Sequence, residues 1–145
     1  MIDGTEDKGG AFFTPLEPSK EGRPMTHHRL DPKSYFVSAR SFVATYYLIP
    51  GDGEFTFISS SAGNEGFMIP AYDAFKLRTG VDASSDVIGN LVLNYINVKT
   101  VGNGVEAVHV NIMAPNGSIP NMLVSKMAAK QALLVSRIAE FMKNK

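Results

Sequence analysis

The chain has no cysteine. That absence excludes disulfides, thiolate zinc sites and thiol catalysis; it leaves the compartment open, with a reducing one compatible. There is no net charge, 14 basic residues balancing 14 acidic ones. No broad electrostatic field therefore argues for nucleic acid, and none is expected as a partner. No apolar run approaches the roughly 18 residues that a spanning helix needs. The N-terminal MIDGTEDKGG lacks the basic start and apolar centre of a secretory signal. Internal repeats, a glycine-rich phosphate loop and a nucleophile motif are also missing. These absences predict a soluble, intracellular protein, cytoplasmic in location, that needs no cofactor or metal.

What is present suits one domain. The chain has 145 residues, 44% of them hydrophobic, enough for a core of useful size. Residues 1–33 carry Gly, Pro, Lys and Glu, with Pro15, Pro18, Pro24 and Pro32 arguing against helix. They are read as an irregular N-terminal segment, and 34–145 as the folded domain. Tyr35-Phe36-Val37 suggests a short strand. Ser41 to Ile49 is aromatic and β-branched, a strand, and Glu54 to Ser60 returns from the turn at Gly51-Asp52-Gly53. Residues 60–66 read as loop, with a short helix near Tyr72 to Leu77. Val87 to Val101 reads as a long strand bent near Gly89. Gly102-Asn103-Gly104 turns it back into Val105 to Met113. On that last strand Val108, Val110 and Ile112 share a face taken as the inner one, and Ala107, His109 and Asn111 a wetter one.

The chain ends in an amphipathic helix. It starts near Ile119 or Pro120, with Ser118 as N-cap and the proline in the first turn, where a missing N–H costs least. At about 100° per residue, Leu123, Val124, Met127, Ala128, Leu134, Val135, Ile138 and Met142 fall on one side. Lys126, Lys130, Arg137 and Glu140 fall on the other. Such a helix covers a sheet. Gln131 breaks the apolar sector, either as a polar anchor or as a residue bonded to backbone at its edge.

The order of these elements resembles the C-terminal part of a START (StAR-related lipid-transfer) domain. Val37-Ser38-Ala39-Arg40-Ser41-Phe42-Val43 is similar to the Ser-Pro-Arg-Asp-Phe-Val that begins a strand in that family. Val87 to Val101 is similar to its Val-Arg-Gly…Gly-Trp-Val-Ile-Glu-Pro strand. Ala114-Pro115-Asn116-Gly117-Ser118-Ile119-Pro120-Asn121-Met122-Leu123-Val124-Ser125-Lys126 resembles Asp-Pro-Gly-Gly-Ser-Ile-Pro-x-Trp-Leu-Val-Asn-Lys. Ala39, Ser41, Ala114 and Ile88 depart from the pattern, as do Tyr95 and Ile96 in place of Gly-Trp. The resemblance runs from about 35 to 145. A complete domain of the family carries a helix, three strands and two helices ahead of the matched part. A divergent or incomplete member is expected, with a second chain able to complete the sheet.

The resemblance implies an α+β, helix-grip fold of the START/Bet v 1 type, an antiparallel sheet packed on a long C-terminal helix. It implies a tunnel for one lipid or sterol, loaded during transient membrane-surface contact, with no covalent chemistry. Val108, Val110, Ile112, Val124, Met127, Gln131, Leu134 and Ile138 would then line the ligand. Without the resemblance Val124, Met127, Leu134 and Ile138 read as ordinary core.

Other residues read more plainly. His27-His28 is an adjacent pair in an irregular segment, with no metal spacing. His109 alone reads as a surface or satisfied residue. Asp73, Asp82, Asp86 and Glu65 read as solvated carboxylates, and Ser59-Ser60-Ser61 as a strand end. Asn116-Gly117-Ser118 matches a glycosylation sequon but reads as a turn. Two rivals stay open. A helix-grip enzyme of the cyclase or hydrolase kind needs His109 and a carboxylate in one pocket. A non-binding interaction or regulatory remnant needs no cavity at all.

Overall fold

Side chains of an extended strand alternate between two faces, so each strand commits half its residues to each side of a sheet. The computed structural model describes residues 11–133, 135, 136 and 140, and for residues 11, 123, 127, 130, 131 and 132 the backbone only. Within them lie β1 (Ala11–Leu16), β2 (Met25–Leu30), β3 (Arg40–Gly51) and β4 (Glu54–Ser60), then α1 (Met68–Thr79). β5 (Val87–Ile88), β6 (Asn90–Val101), β7 (Gly104–Ala114) and α2 (Asn121–Ala132) follow. The strands form one sheet in the order β1-β2-β3-β4-β6-β7, antiparallel throughout that path. β5 pairs parallel with the start of β3, Arg40 opposite Val87.

Both expected hairpins form. Asp52-Gly53 joins β3 to β4 and Gly102-Asn103 joins β6 to β7; Gly53 (φ 65°) and Gly102 (φ 56°) take the left-handed conformation that glycine adopts without steric cost. The bend near Gly89 separates β5 from β6. The helix expected around Tyr72 to Leu77 is longer, starting at Met68 with Pro70 in its first turn. Gly80 ends it in the left-handed region, its N–H bonded to Lys76 O at 2.8 Å.

Three expectations are corrected. Residues 11–30 are not irregular, because they contain β1 and β2. β2 buries Met25, His27 and Arg29 on one side, so its pattern is hidden by polar residues that stay satisfied inside. Pro15 is tolerated because β1 is an edge strand. Tyr35-Phe36 is not a strand but the tip of a turn, closed by Val37 N–H on Ser34 O at 3.4 Å. Ser118 does not cap α2: the Pro120 carbonyl takes its first bond, from Val124 N–H at 3.3 Å, while the Ser118 carbonyl accepts from Arg40 Nη2.

α1 lies on one face of β1, β2 and β3, here called the α1 face. Met68 and Ala71 pack there on Met25 and Val43, with Leu16 and Tyr72 at the margin. Phe75 is fully buried, edge-on to Phe12 and His27 at 5.5 and 5.6 Å. The reverse face has a separate cluster of Phe42, Ala44 and Leu91, flanked by Leu30 and Met113. His27 and His28 point to opposite faces. His28 stacks on Phe42 at 4.9 Å and meets Phe13 edge-on at 4.8 Å.

Both rings are held neutral. Burial pushes His27 down from 6.5 to about 4; Asp86 opposes the shift and Arg29 adds to it. Burial, with His27 alongside, pushes His28 down to about 3. An unfolded chain takes up these protons near pH 6.5, whereas the folded chain does not. This contribution is therefore complete above 6.5 and is lost as pH falls toward 4 and then 3. Thermal unfolding followed by circular dichroism should show a midpoint that drops between about pH 7 and about pH 4.5. His28→Phe keeps the aromatic stack without the titration, so it should regain part of that loss at the acid end only. A midpoint flat across this range would show that the histidines are not the acid-sensitive element.

Candidate functional site

Directly opposed residues of an antiparallel pair share a face, so the pairing register assigns every strand position. The reverse face carries His28 and Phe42, Tyr46, Phe57, Ile96 and His109, and Asn94 and Asn111. Tyr46 and Phe57 lie 5.8 Å apart. His109 Nε2 is 2.9 Å from Asn94 Oδ1, a polar pair in an otherwise greasy surface. Among the described strand residues on this face there is no carboxylate. Its one formal charge is Arg40, whose guanidinium donates to the carbonyls of Ser38, Asn116 and Ser118. Those bonds fasten the turn before α2. Gly117 takes φ 65°, where an L side chain is strained, and a Cβ there would meet Arg40 Nη2 at 3.2 Å.

The face assignment on β7 is thereby corrected. Ala107, His109, Asn111 and Met113 are the half-buried set, whereas Val108, Val110 and Ile112 are 44%, 40% and 50% exposed. Hydropathy within one strand suggests the opposite. The neighbours decide: His109 is opposite Ile96, which is opposite Phe57, and Asn111 is opposite Asn94. The valines share the α1 face at an end of the sheet that α1 does not reach.

The remaining predicted lining residues belong to the stretch expected to form the C-terminal helix, of which α2 covers Asn121–Ala132. Val124 is 42% exposed. The side chains of Met127 and Gln131, and Leu134 and Ile138 altogether, lie outside the described residues. Of the expected tunnel, only the sheet side falls within the described residues. A cleft of about 190 Å³ opens elsewhere, where Phe42, Ile88 and Asn90 meet Asn64 and Met68. It is smaller than the roughly 300 Å³ at which ligand pockets begin.

A second cluster escaped sequence reading. Ser41 Oγ donates to Asp86 Oδ2 at 2.7 Å and lies 3.0 Å from His27 Nε2. Arg29 donates to both oxygens of Asp86, at 2.8 and 3.2 Å, and to Asp31 at 3.0 Å. Asp86 is thus a buried ion-pair partner, its side chain 5% exposed, and not a solvated carboxylate. The chemical types are those of a hydrolytic triad, but the connectivity differs. The hydroxyl proton goes to the carboxylate, so the serine can only accept from His27. The far ring nitrogen, Nδ1, is buried without a partner. A nucleophilic serine needs the histidine to take its proton. His27 and Ser41 are also closed to solvent. The signal that could have revealed the cluster is Arg29 on the buried parity of β2, since a buried guanidinium demands a carboxylate.

No three metal-ligating side chains converge among the described residues, and no described helix is long and apolar enough to cross a membrane. No family model and no curated protein matches the sequence. The fold is similar to the crystal structure of human STARD10, a START domain, at a TM-score of 0.59 and 11% identity. The match covers 94% of this chain and 50% of that one, so the chain spans about half its length. The fold is START-like, an antiparallel sheet with few helices.

The buried cluster makes a simple prediction. Folded protein treated with a fluorophosphonate should carry no adduct on Ser41 by mass spectrometry. An adduct at Ser41 in the folded protein would restore the hydrolase reading.

Proposed function

We propose that this chain binds one lipid or sterol against the reverse face of its sheet, beneath the C-terminal helix, and sequesters or transfers it without covalent chemistry. The observation that carries the reading is the make-up of that face: aromatic and aliphatic side chains, half-buried, with neutral polar groups and no carboxylate at its strand positions. Burial of an acyl chain or sterol supplies about 0.8 kcal/mol per methylene, so a few polar groups suffice for selection. His109 and Asn94 offer a donor and an acceptor to a hydroxyl or ester. The single arginine of this face is occupied by backbone carbonyls, which disfavours an anionic head group. The START-like fold supports the same reading. A chain without cysteine suits a cytoplasmic setting, where donor and acceptor membranes face a reducing medium.

Acid–base enzymology is the less favoured reading. It requires a carboxylate beside His109, and the partner there is the Asn94 amide. Native mass spectrometry after expression in a lipid-rich host tests binding directly. A co-purifying lipid, displaced by a fluorescent sterol or acylglycerol, is the expected result. His109→Ala and Asn94→Ala should each weaken uptake about fivefold, the loss of roughly one hydrogen bond. A clean apo mass with no uptake of sterol, acylglycerol or phospholipid would leave the interaction-remnant reading.

Pick-up requires contact with a bilayer. Tyr35 and Phe36, at the tip of the β2–β3 connection, are 106% and 92% exposed. Two adjacent aromatics standing free in water are costly, and the lipid–water interface is where such side chains settle. Tyr35→Ser with Phe36→Ser should cut vesicle co-sedimentation and transfer rate severalfold and leave uptake of detergent-dispersed lipid unchanged. Equal vesicle binding by this variant would move the membrane contact elsewhere.

A further inference from the structure

Pairing register lays the reverse face out in rows that run across the strands, since opposed residues share a face and side chains alternate along each strand. Tyr46, Ser59, Asn94 and Asn111 are successive partners on β3, β4, β6 and β7, and form one row. Every member carries a hydroxyl or a carboxamide. The next row toward the β3–β4 and β6–β7 turns is Leu48, Phe57, Ile96 and His109. The row beyond it is Pro50, Phe55, Val98 and Ala107. A polar band thus crosses the face and borders an apolar one.

Burial rises toward that band. On β4, Phe55 is 41% exposed, Phe57 half-buried and Ser59 only 3% exposed. On β3, Leu48 is exposed and Tyr46 half-buried, while Ala44 and Phe42 are closed in with Leu91. The band therefore lies where the open part of the face meets packed core, and hydrogen bonds count for most where water is scarce. His109 Nε2 lies 2.9 Å from Asn94 Oδ1. A carboxamide oxygen only accepts, so the imidazole nitrogen carries the proton and Asn94 Nδ2 is left to donate elsewhere. Asn111, opposite Asn94, brings a second carboxamide with a donor and an acceptor.

We propose that this band selects a lipid alcohol: a neutral ligand with a free hydroxyl at one end, seated between Asn94 and Asn111, its apolar body lying over Phe57, Ile96, Phe55 and Val98. The assignment rests on the lipid-binding reading above and narrows it. A hydroxyl donates and accepts at once, which suits two adjacent carboxamides. An ester accepts only, and leaves a carbonyl of the band without a donor.

Native mass spectrometry of the full chain, titrated with cholesterol against its acetate and with oleyl alcohol against its acetate, tests the selection. The bound alcohol should be held about tenfold more tightly than its ester, the cost of one buried polar group left unpaired. Asn94→Leu and Asn111→Leu, each with wild-type circular dichroism, should bring that ratio toward one. An alcohol carrying a diazirine at the end remote from its hydroxyl should label the peptides of Phe55 or Val98. An acetate held as tightly as its alcohol, a ratio untouched by both leucines, or a label at Phe42 or Leu91 would overturn the proposal. Uptake of phospholipid with neither alcohol bound would overturn it and leave the lipid-binding reading standing. Uptake of no lipid at all would remove both.

Discussion

Asp86 is the group on which this arrangement turns. It sits one residue ahead of β5 and accepts from Arg29 on β2 and Ser41 on β3. A carboxylate and a guanidinium taken out of water are stable only together, and removing either leaves a buried charge that costs about 3–5 kcal/mol. The pair therefore dictates where the chain goes after α1. It brings Val87 and Ile88 against the stretch of β3 that β4 leaves unpaired, and from there β6 starts along β4. The aromatic surface of the reverse face is assembled by that path.

The same cluster explains much of what the sequence concealed. The β3–β4 and β6–β7 hairpins are legible because glycine marks each turn and aromatic or β-branched residues fill each arm. β2 is not legible, because Met25, His27 and Arg29 face inward and two of those three are polar. Only the distant Asp86 makes burying Arg29 tolerable, and 57 positions separate the two. β1 is hidden by Pro15. α1 is hard to read because Ile69 and Leu77 are exposed while Ala71 is buried, which blurs its apolar stripe.

The inversion on β7 has a different cause. A strand with valines on one parity and histidine and asparagine on the other reads as apolar-in, polar-out. That rule assumes each strand chooses its own inside. In a sheet the choice is collective, since a shift of one residue would turn every side chain over. Here Phe57 and Ile96 bring His109 to their side, where its Nε2 meets Asn94 Oδ1.

The START-like fold is present here at 11% identity to human STARD10, and the proposed binding role is compatible with such divergence. A catalytic site fixes particular atoms within fractions of an ångström, so its residues cannot drift independently. An apolar face asks only for side chains of the right class and approximate volume, and those interchange at a cost usually below about 1.5 kcal/mol. What must stay is the framework that sets the parity of each strand: the turns at Gly53 and Gly102, the buried pair of Arg29 and Asp86, and the Arg40 clasp on the turn before α2. Each of these is a backbone conformation or a charge that has no substitute of similar shape. Binding by burial, as proposed here, would leave its mark in the framework and very little in the lining, the part of such a site hardest to read from sequence.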